Sequence, residues 1–597
     1  MSKENFKNSG DSVLDEFFSQ SVRPRYIYPP LTRRSFLKMG AVSTVTFAAA
    51  GTLGCAAKTY KAEVMSEINP KVYINPEMDA IPAGKMIRKI PGFSGKKPNI
   101  ILILTDDMGY GDLGCYGCRA INTPNIDRLA HEGIRFTDFH SCNALCSPSR
   151  AGILTGRYPH RTGVTYPFPS ETSSIGKKFM RWVGYQFTKL GGIDLIGNES
   201  LARGLPLSEI TIAEALKLDD YATCCIGKWH LGDFTAHPDY LPRRHGFDYF
   251  IGFNGANDDW PVAFWRNETE ITKDIGLDQE QYTGIFHREA IEFIERSKEQ
   301  PFFLYLAHKD PHQPCYPSKE FEGSSKGGPH GDTIQEVDWS VGEILKYLKK
   351  NGLDKDTIIL FASDNGPWYD GSPGGLRGRK GQSYEGGYRV PMIAWWPGHI
   401  PAGSECSEPA MNIDFFPTIL ALAGLEVPSD RIIDGRNIWE LLTEKDARSP
   451  HEALFFFHDN EIEGVRAGKW KYFRYINQYT WPIPVDKPNN FMGTNAANRT
   501  YTYPSEVTGG DRTVRALGTW PLLYDMEYDP GESYNVIRYH PEIARRLHNM
   551  LVDWEKEFYK NPRAGSRNNP FGILPGLVFC FNLCVRRMTG PVPFAFY

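Results

Sequence analysis

Four largely apolar runs along the chain share one design. Asn99-Ile-Ile-Leu-Ile-Leu104, Thr223 to Ile226, Pro301 to Ala307 and Thr357-Ile-Ile-Leu-Phe-Ala362 are continuous rather than alternating. Strands read that way when both faces of a largely parallel sheet are covered. Each runs into polar sequence: Thr105-Asp106-Asp107, Gly227-Lys228-Trp229-His230, His308-Lys309-Asp310-Pro311-His312 and Ser363-Asp364-Asn365-Gly366. Helical segments fall between them. Thr123 as N-cap and Pro124 at the first position open one that Gly133 stops, and Glu209 to Leu216 reads as another. Strand, polar loop, helix is the α/β alternation, and open α/β sheets gather their sites at the C-terminal ends of strands.

After Gly424 the pattern changes. Ala453 to His458, Gly464 to Phe473 and Leu522 to Pro530 look like short antiparallel strands with turns. A closing helix from Pro541 to about Phe558 carries Ile543, Leu547, Leu551 and Trp554 on one stripe. The expected fold class is α/β, a large mostly parallel sheet flanked by helices, with a smaller C-terminal α+β domain on an antiparallel sheet. The expected divisions are an export signal (1–57), a linker (58–95), a catalytic domain (96–445), a C-terminal subdomain (446–562) and a tail (563–597). Ile573 to Val585 in that tail is interrupted by Pro575 and too short to span a bilayer, so a packed terminus is expected.

Composition narrows the class. The 597 residues exceed one core, and 41% hydrophobic with 23% charged residues is globular. A net charge of −4 gives no basic footprint, which argues against nucleic acid as a partner. The eleven cysteines are scattered; Cys115-x-x-Cys118 lacks a second pair and reads as incidental, and Cys224-Cys225 as buried. Thr32-Arg33-Arg34-Ser35-Phe36-Leu37-Lys38 precedes a mild apolar run ending in Gly54-Cys55-Ala56. That is a twin-arginine export signal rather than a membrane anchor, which needs roughly 20 apolar residues. It points to a periplasmic or extracellular protein. Cys55 is open to two readings, a lipid-bearing residue that would tie the chain to a membrane or a neighbour of simple cleavage.

The most specific stretch is Cys146-Ser-Pro-Ser-Arg150-Ala-Gly-Ile-Leu-Thr-Gly156. Pro148 starts a helix, which sets Cys146 just ahead of an N-terminus that favours negative charge, with Arg150 one turn away. The cysteine is therefore expected to ionise easily. A buried structural cysteine is the bland alternative. The order Cys-x-Pro-Ser-Arg followed by Ala-Gly-Ile-Leu-Thr-Gly-Arg resembles the signature of the type I, formylglycine-dependent sulfatases of the arylsulfatase kind, in the alkaline phosphatase superfamily. The resemblance runs from about Lys97 to near Phe558. It implies that a maturation enzyme oxidises Cys146 to formylglycine (3-oxoalanine), whose hydrated aldehyde is the nucleophile.

Asp106 and Asp107 repel one another in a buried pocket unless a cation or proton compensates, and Asp364-Asn365 repeats the design. Asx-turn capping explains either pair alone. Together with an oxygen from modified Cys146 they make an all-oxygen site suited to Ca²⁺, Mg²⁺ fitting less well. The resemblance assigns these four residues as calcium ligands. It also implies that Arg150, Lys228 and His230 hold the formylglycine hydroxyls, and that His312 is the leaving-group acid and a sulfate contact. His308 is at most a supporting residue. Arg377-Gly-Arg379-Lys380 and Glu385-Gly-Gly-Tyr-Arg389 can be a solvated basic turn, but the spacing resembles the family's second signature, in which Lys380 contacts sulfate. One departure stands out. Near Phe250 to Asn254 some arylsulfatases carry a serine at the sulfate, where this chain offers only Ala256 and Asn257.

The function expected is hydrolysis of a sulfated glycan or small-molecule sulfate ester. A phosphomonoesterase or phosphodiesterase of the same fold would want Ser or Thr as nucleophile and more histidine ligands. An exported glycan-binding lipoprotein would leave Cys146 unmodified, and a cysteine hydrolase pairing Cys146 with His312 gives the acidic residues no role. The substrate is not legible, although residues 170–200 and 475–515 carry aromatics and bases suited to a pocket wall.

Overall fold

The computed structural model describes residues 87–168, 204–479, 513–515 and 521–560, apart from residues 92, 94, 236, 259–260 and 459–460. The export signal, the tail, residues 170–200 and all but the ends of 475–515 lie outside the described residues. Among those described, no helix is long and apolar enough to cross a membrane.

Ten strands make one sheet. In chain order they are β1 (Asn99–Thr105), β2 (Ile134–Phe136), β3 (Ala222–Lys228), β4 (Tyr249–Phe253), β5 (Phe264–Arg266), β6 (Thr269–Thr272), β7 (Phe302–Ala307), β8 (Thr357–Ser363), β9 (Met392–Trp395) and β10 (Ser404–Cys406). Their spatial order is β10-β2-β9-β8-β1-β7-β3-β4-β5-β6. The five central strands, β8, β1, β7, β3 and β4, are parallel, and β9 and β5 run against them at either side. The sheet is therefore mixed but mostly parallel, as the continuous apolar runs predict.

Alternate residues of β1 serve two cores. Ile100, Leu102 and Leu104 meet a layer that includes Ile153 of α2 (Cys146–Thr155), Leu216 of α3 (Ile212–Lys217) and Phe416 of α6 (Phe415–Leu422). Ile101 and Ile103 meet Ile126 of α1 (Pro124–Glu132), Phe293 of α4 (Tyr282–Ser297) and Leu345 of α5 (Gly328–Lys350) on the other face. Each such side chain, fully buried, contributes about 1.5–3 kcal/mol. This double burial excludes polar residues from the strands and pushes the chemistry to their ends.

Register then delivers the chemistry to one edge. Thr105 lies opposite Ser363, Leu104 opposite Ala307, and Ala307 opposite Gly227. The strands finish flush, so Asp106, Asp364, His308 and Lys228 leave the sheet together. Gly227 permits the tight spacing: at φ +103°, an added Cβ would stand 1.9 Å from the Ala307 carbonyl oxygen.

One helix start and one helix cap differ from expectation. The α3 helix begins at Ile212, because Thr211 accepts from the Glu214 N–H and Glu214 returns the bond to the Thr211 N–H; Glu209 stays outside, paired with Arg157. At α1, the Thr123 side chain makes no cap. Its hydroxyl donates to Asp127 at 3.0 Å and accepts from the Gly114 N–H at 2.9 Å, tying the helix to the preceding loop.

A separate antiparallel sheet follows: β11 (Leu454–His458), β12 (Glu461–Ala467), β13 (Trp470–Phe473) and β14 (Leu522–Asp525), paired in that order. The last helix, α7 (Pro541–Lys560), packs on it through Ala544, Leu547, Leu551 and Phe558. Ile543 and Trp554 sit half-buried at the edge of that stripe.

Candidate active site

The β1 strand ends in Thr105, and the next two residues turn inward. Asp107 takes φ +64°, a left-handed conformation that Asp tolerates better than most residues. Its N–H donates to Asp364 Oδ1 at 3.2 Å, and the Asp364 N–H donates to the Thr105 carbonyl. Asn365 closes the ring, its Nδ2 donating to Asp107 Oδ1 at 2.7 Å. All four side chains are buried.

Cys146 occupies the first turn of α2 rather than the residue before it, and all ten residues of that helix are buried. One ligand atom each from Asp106, Asp364 and Cys146 lie within 4.8 Å of one another, and so do atoms of Asp106, Asp107 and His312. Asp106 Oδ1 and Asn365 Oδ1 take no hydrogen bond despite full burial. Buried acceptors without donors are expensive, and two of them in one acidic cluster fit a hard cation with oxygen ligands.

Cations from α2 and two other segments fill the outer positions. Lys228, at the end of β3, reaches Asp106 Oδ2, and Lys380 donates to Asp107 Oδ2 at 2.8 Å. Arg150 points its Nε at Asp364 Oδ2, 2.9 Å away, and Nη1 at the Lys228 carbonyl, 2.8 Å away. Its direct hydrogen bonds thus go to a carboxylate and a backbone carbonyl, not to residue 146. His312 sets Nε2 3.7 Å from Asp107 Oδ2, while Nδ1 faces the Gln313 carbonyl. His230, at φ +54°, turns Nε2 to the Phe168 carbonyl at 3.1 Å.

Burial and charge set the protonation states. Burial and the neighbouring Asp106 push the Asp364 carboxyl up to about 7. Against its own burial, Asp106 is held below the carboxylate range by Lys228, His312 and Arg150. Burial raises the Cys146 thiol, outweighing Lys228 and Lys380. That overturns the expectation of an easily ionised cysteine, because the helix N-terminus lies inside the protein. His312 does not keep its ordinary value either: burial, Lys380 and Lys228 depress it. His230 falls further, through burial, Lys228 and Arg150.

Several supporting residues went unassigned in the sequence. Ser149 donates to the Asp364 carbonyl and accepts from Asn412 Nδ2 at 2.8 Å. Ser363 accepts from the Met108 N–H and donates to the Asn365 carbonyl. Ser149 stands inside the motif, so a signal existed; Asn412 had none. Asn257, at the departure from the arylsulfatase pattern, is buried with Nδ2 on the Pro314 carbonyl at 3.2 Å and the Gln279 Oε1 at 3.2 Å. It braces the turn that carries His312. His308 is buried, with neither ring nitrogen hydrogen-bonded, and burial lowers its pKa to about 4.

Known proteins match the chain over most of its length. The family model described as Sulfatase matches residues 98–425. Those described as N-sulphoglucosamine sulphohydrolase, C-terminal, and C-terminal region of aryl-sulfatase match residues 379–489 and 449–580. The chain is 35% identical over 460 residues to N-acetylgalactosamine-6-sulfatase of Rattus norvegicus, covering 73% of this chain and 81% of that protein. It is 33% identical over 571 residues to the steryl-sulfatase of Homo sapiens, covering 78% and 91%. Among solved structures, Ps i-CgsB shares 27% identity at a TM-score of 0.61, over 79% of this chain and 95% of that one. The PsFucS1 sulfatase from Pseudoalteromonas sp. shares 25% at 0.63, over 78% and 92%.

Proposed function

The chain belongs to the sulfatase family and is a sulfuric ester hydrolase; from that premise we propose how its residues divide the work and what they work on. The observation that carries the reading is that Asp106 and Asp364 close on Cys146 while Asp107 and Asn365 join the same buried cluster, with Lys228, Lys380 and Arg150 on its carboxylates. Asp106, Asp107, Asp364, Asn365 and an oxygen at residue 146 would hold a divalent cation, Ca²⁺ by donor chemistry, whose charge polarises a sulfate oxygen. Converted to formylglycine, residue 146 supplies as hydrated aldehyde the hydroxyl nucleophile; the Cys146 sulfur stands where that oxygen would be.

The chain's own residues do the rest. Lys228 and Lys380 meet the sulfuryl oxygens, which carry negative charge in the transition state, with charged donors already in place. An anionic sulfate ester beside His312 opposes the lysines that depress it, so the imidazole holds the proton it gives to the departing alcohol. His230, kept neutral by its surroundings, accepts the proton when sulfate is released from residue 146. Arg150 fixes Asp364 and Asp106, and Ser149 and Asn412 fix the strand end behind them. A phosphoesterase with two zinc ions is less well served, since His312 is the single imidazole in the two ligand groups built on Asp106, among the described residues.

The substrate class is a sulfated glycan. Half-buried Trp368, Tyr369 and Asp370 follow the ligand pair Asp364-Asn365 after Gly366 and Pro367, and the Arg379 guanidinium lies 5.4 Å from the Tyr369 ring. Aromatic faces beside charged hydrogen-bonding groups suit a sugar ring better than a sterol. Export through the twin-arginine sequence around Arg33-Arg34 would put the work outside the cytoplasm, where polymers are met. Turnover of sulfated sugars and a chromogenic aryl sulfate by the matured protein tests this. Sulfate release by the wild type and none by Cys146→Ala is expected; preference for phosphate esters, or activity retained in the variant, overturns it.

A further inference from the structure

His312 is held by its own turn. Its N–H donates to the Lys309 carbonyl at 3.1 Å, and its Nδ1 faces the Gln313 carbonyl at 2.6 Å. The direction of the ring therefore follows the placement of residues 311–315. Asn257 braces that stretch at Pro314. Its second brace is a buried group outside the proposed reaction, His330, in the first turn of α5 and 5% exposed. His330 Nε2 lies 3.1 Å from Asp112 Oδ2, and the imidazole also hydrogen-bonds the half-buried Cys315 thiol. Cys315 in turn donates to the Pro311 carbonyl at 3.2 Å.

The hydrogen positions follow from the partners. Burial raises the Cys315 thiol, which keeps its proton; that hydrogen goes to Pro311, so the sulfur accepts from His330. The Asp112 carboxylate is an acceptor only, so Nε2 donates as well. Both ring nitrogens thus carry hydrogen. Against its own burial, Asp112 holds the His330 pKa well above the ordinary value, in keeping with an imidazolium. Charged donors of this kind make stronger bonds than neutral ones. Asp112 anchors the far side. Fully buried, it also accepts the Gly109 N–H at 2.7 Å and the Ser372 N–H at 2.8 Å. Gly109 lies two residues past Asp107, and Ser372 belongs to the loop that follows Asp364-Asn365. A Cβ added at Gly371 would stand 2.8 Å from Asp112 Oδ2 and 3.2 Å from His330 Cε1, so that loop rests on the pair.

We infer that His330 is a positioning residue for the leaving-group acid: through Cys315 it fixes the turn that carries His312 against the loops bearing Asp107 and Asp364. The inference rests on the reading of His312 as that acid and adds the residues that aim it. Misplacing a reacting group by about 1 Å can cost roughly 100-fold in rate, even from a substitution away from the chemistry. The loss falls on proton transfer, because Lys228 and Lys380 are held by Asp106 and Asp107 directly.

The test is steady-state turnover by the matured protein of para-nitrophenyl sulfate, whose phenolate leaves unaided, and of phenyl sulfate, whose leaving group needs a proton. His330→Gln and Cys315→Ala are each expected to lower kcat on phenyl sulfate about 10- to 100-fold, and on para-nitrophenyl sulfate by less than about threefold. Cys315→Ser, whose hydroxyl can serve both bonds, is expected to restore most of the loss. In a His312→Gln background, His330→Gln is expected to add nothing, because residues that act as a unit are not additive. Equal losses on both esters, or a further loss in the His312→Gln background, overturn the positioning role. If His312→Gln shows the selective loss and neither His330→Gln nor Cys315→Ala does, His312 stays the acid and the positioning role alone falls. If His312→Gln shows no selective loss, the acid reading falls and takes this inference with it. Where His330→Gln fails to fold, the Cys315 pair decides by the same criteria.

Discussion

Lys380 and His312 approach the same carboxylate oxygen of Asp107 from different segments, and their substitutions separate two duties. Lys380→Ala is expected to lower kcat roughly 100- to 1000-fold on any sulfate ester, since it removes a donor to developing charge. His312→Gln is expected to cost about 100- to 10,000-fold on a sugar sulfate and much less on an activated phenol sulfate, which leaves without a proton. Equal losses on both substrates would remove His312 from the acid role. A different histidine offers a stability readout. His245 is fully buried against Trp229, and burial lowers its pKa to about 3. The unfolded chain binds this proton near pH 6.5 and the folded one only near 3, so its contribution is complete above about 6.5 and lost as pH falls toward 3. Thermal melts should show wild type losing stability relative to His245→Phe between pH 7 and 4.5, by up to about 1.4 kcal/mol per pH unit; parallel curves would contradict it. At this scale the sequence displayed residue types and order. It could not display burial, which is why the ionisation of Cys146 came out opposite to expectation.

Strands were the most legible elements, because double burial writes itself as an unbroken apolar run. Their ends were legible too, since polar residues cannot persist inside such a sheet. Helix caps were less so: the capping pair Thr211 and Glu214 moved the start of α3, and the Thr123 hydroxyl ties α1 to the preceding loop through Asp127 and Gly114 without capping a helix N–H. What no periodicity reveals is the close approach of β3 and β7 at Gly227. Gly227→Ala forces a Cβ against the Ala307 carbonyl at positive φ. A loss of roughly 1–3 kcal/mol is expected, visible as a lower melting temperature, together with reduced turnover because Lys228 is the next residue. Unchanged stability with full activity would mean that the strands can separate freely there.

Across the whole molecule, the two sheets are joined by a buried ionic network that the sequence reading did not find. Lys471 of β13 bridges Glu385 at 2.7 Å and Glu532 at 3.0 Å, Arg389 holds Glu385 and Asp138, and Arg466 of β12 pairs with Asp138. Three acids meet two arginines and a lysine, and burial keeps His140 uncharged beside them at neutral pH. Partners 86 and 328 residues apart leave no local trace. Removing one member strands the others, so Lys471→Met is expected to cost about 3–5 kcal/mol in urea unfolding, and a change under 1 kcal/mol would show that the network is dispensable. All of these effects serve one arrangement, a buried oxygen-rich pocket built around an oxidised residue 146. Mass spectrometry of the peptide spanning Cys146, in protein purified active from the cells that make it, tests that arrangement most directly. An aldehyde in place of the thiol, trapped as a hydrazone by a hydrazine reagent, is the expected result; an intact, alkylatable thiol in fully active protein would contradict it.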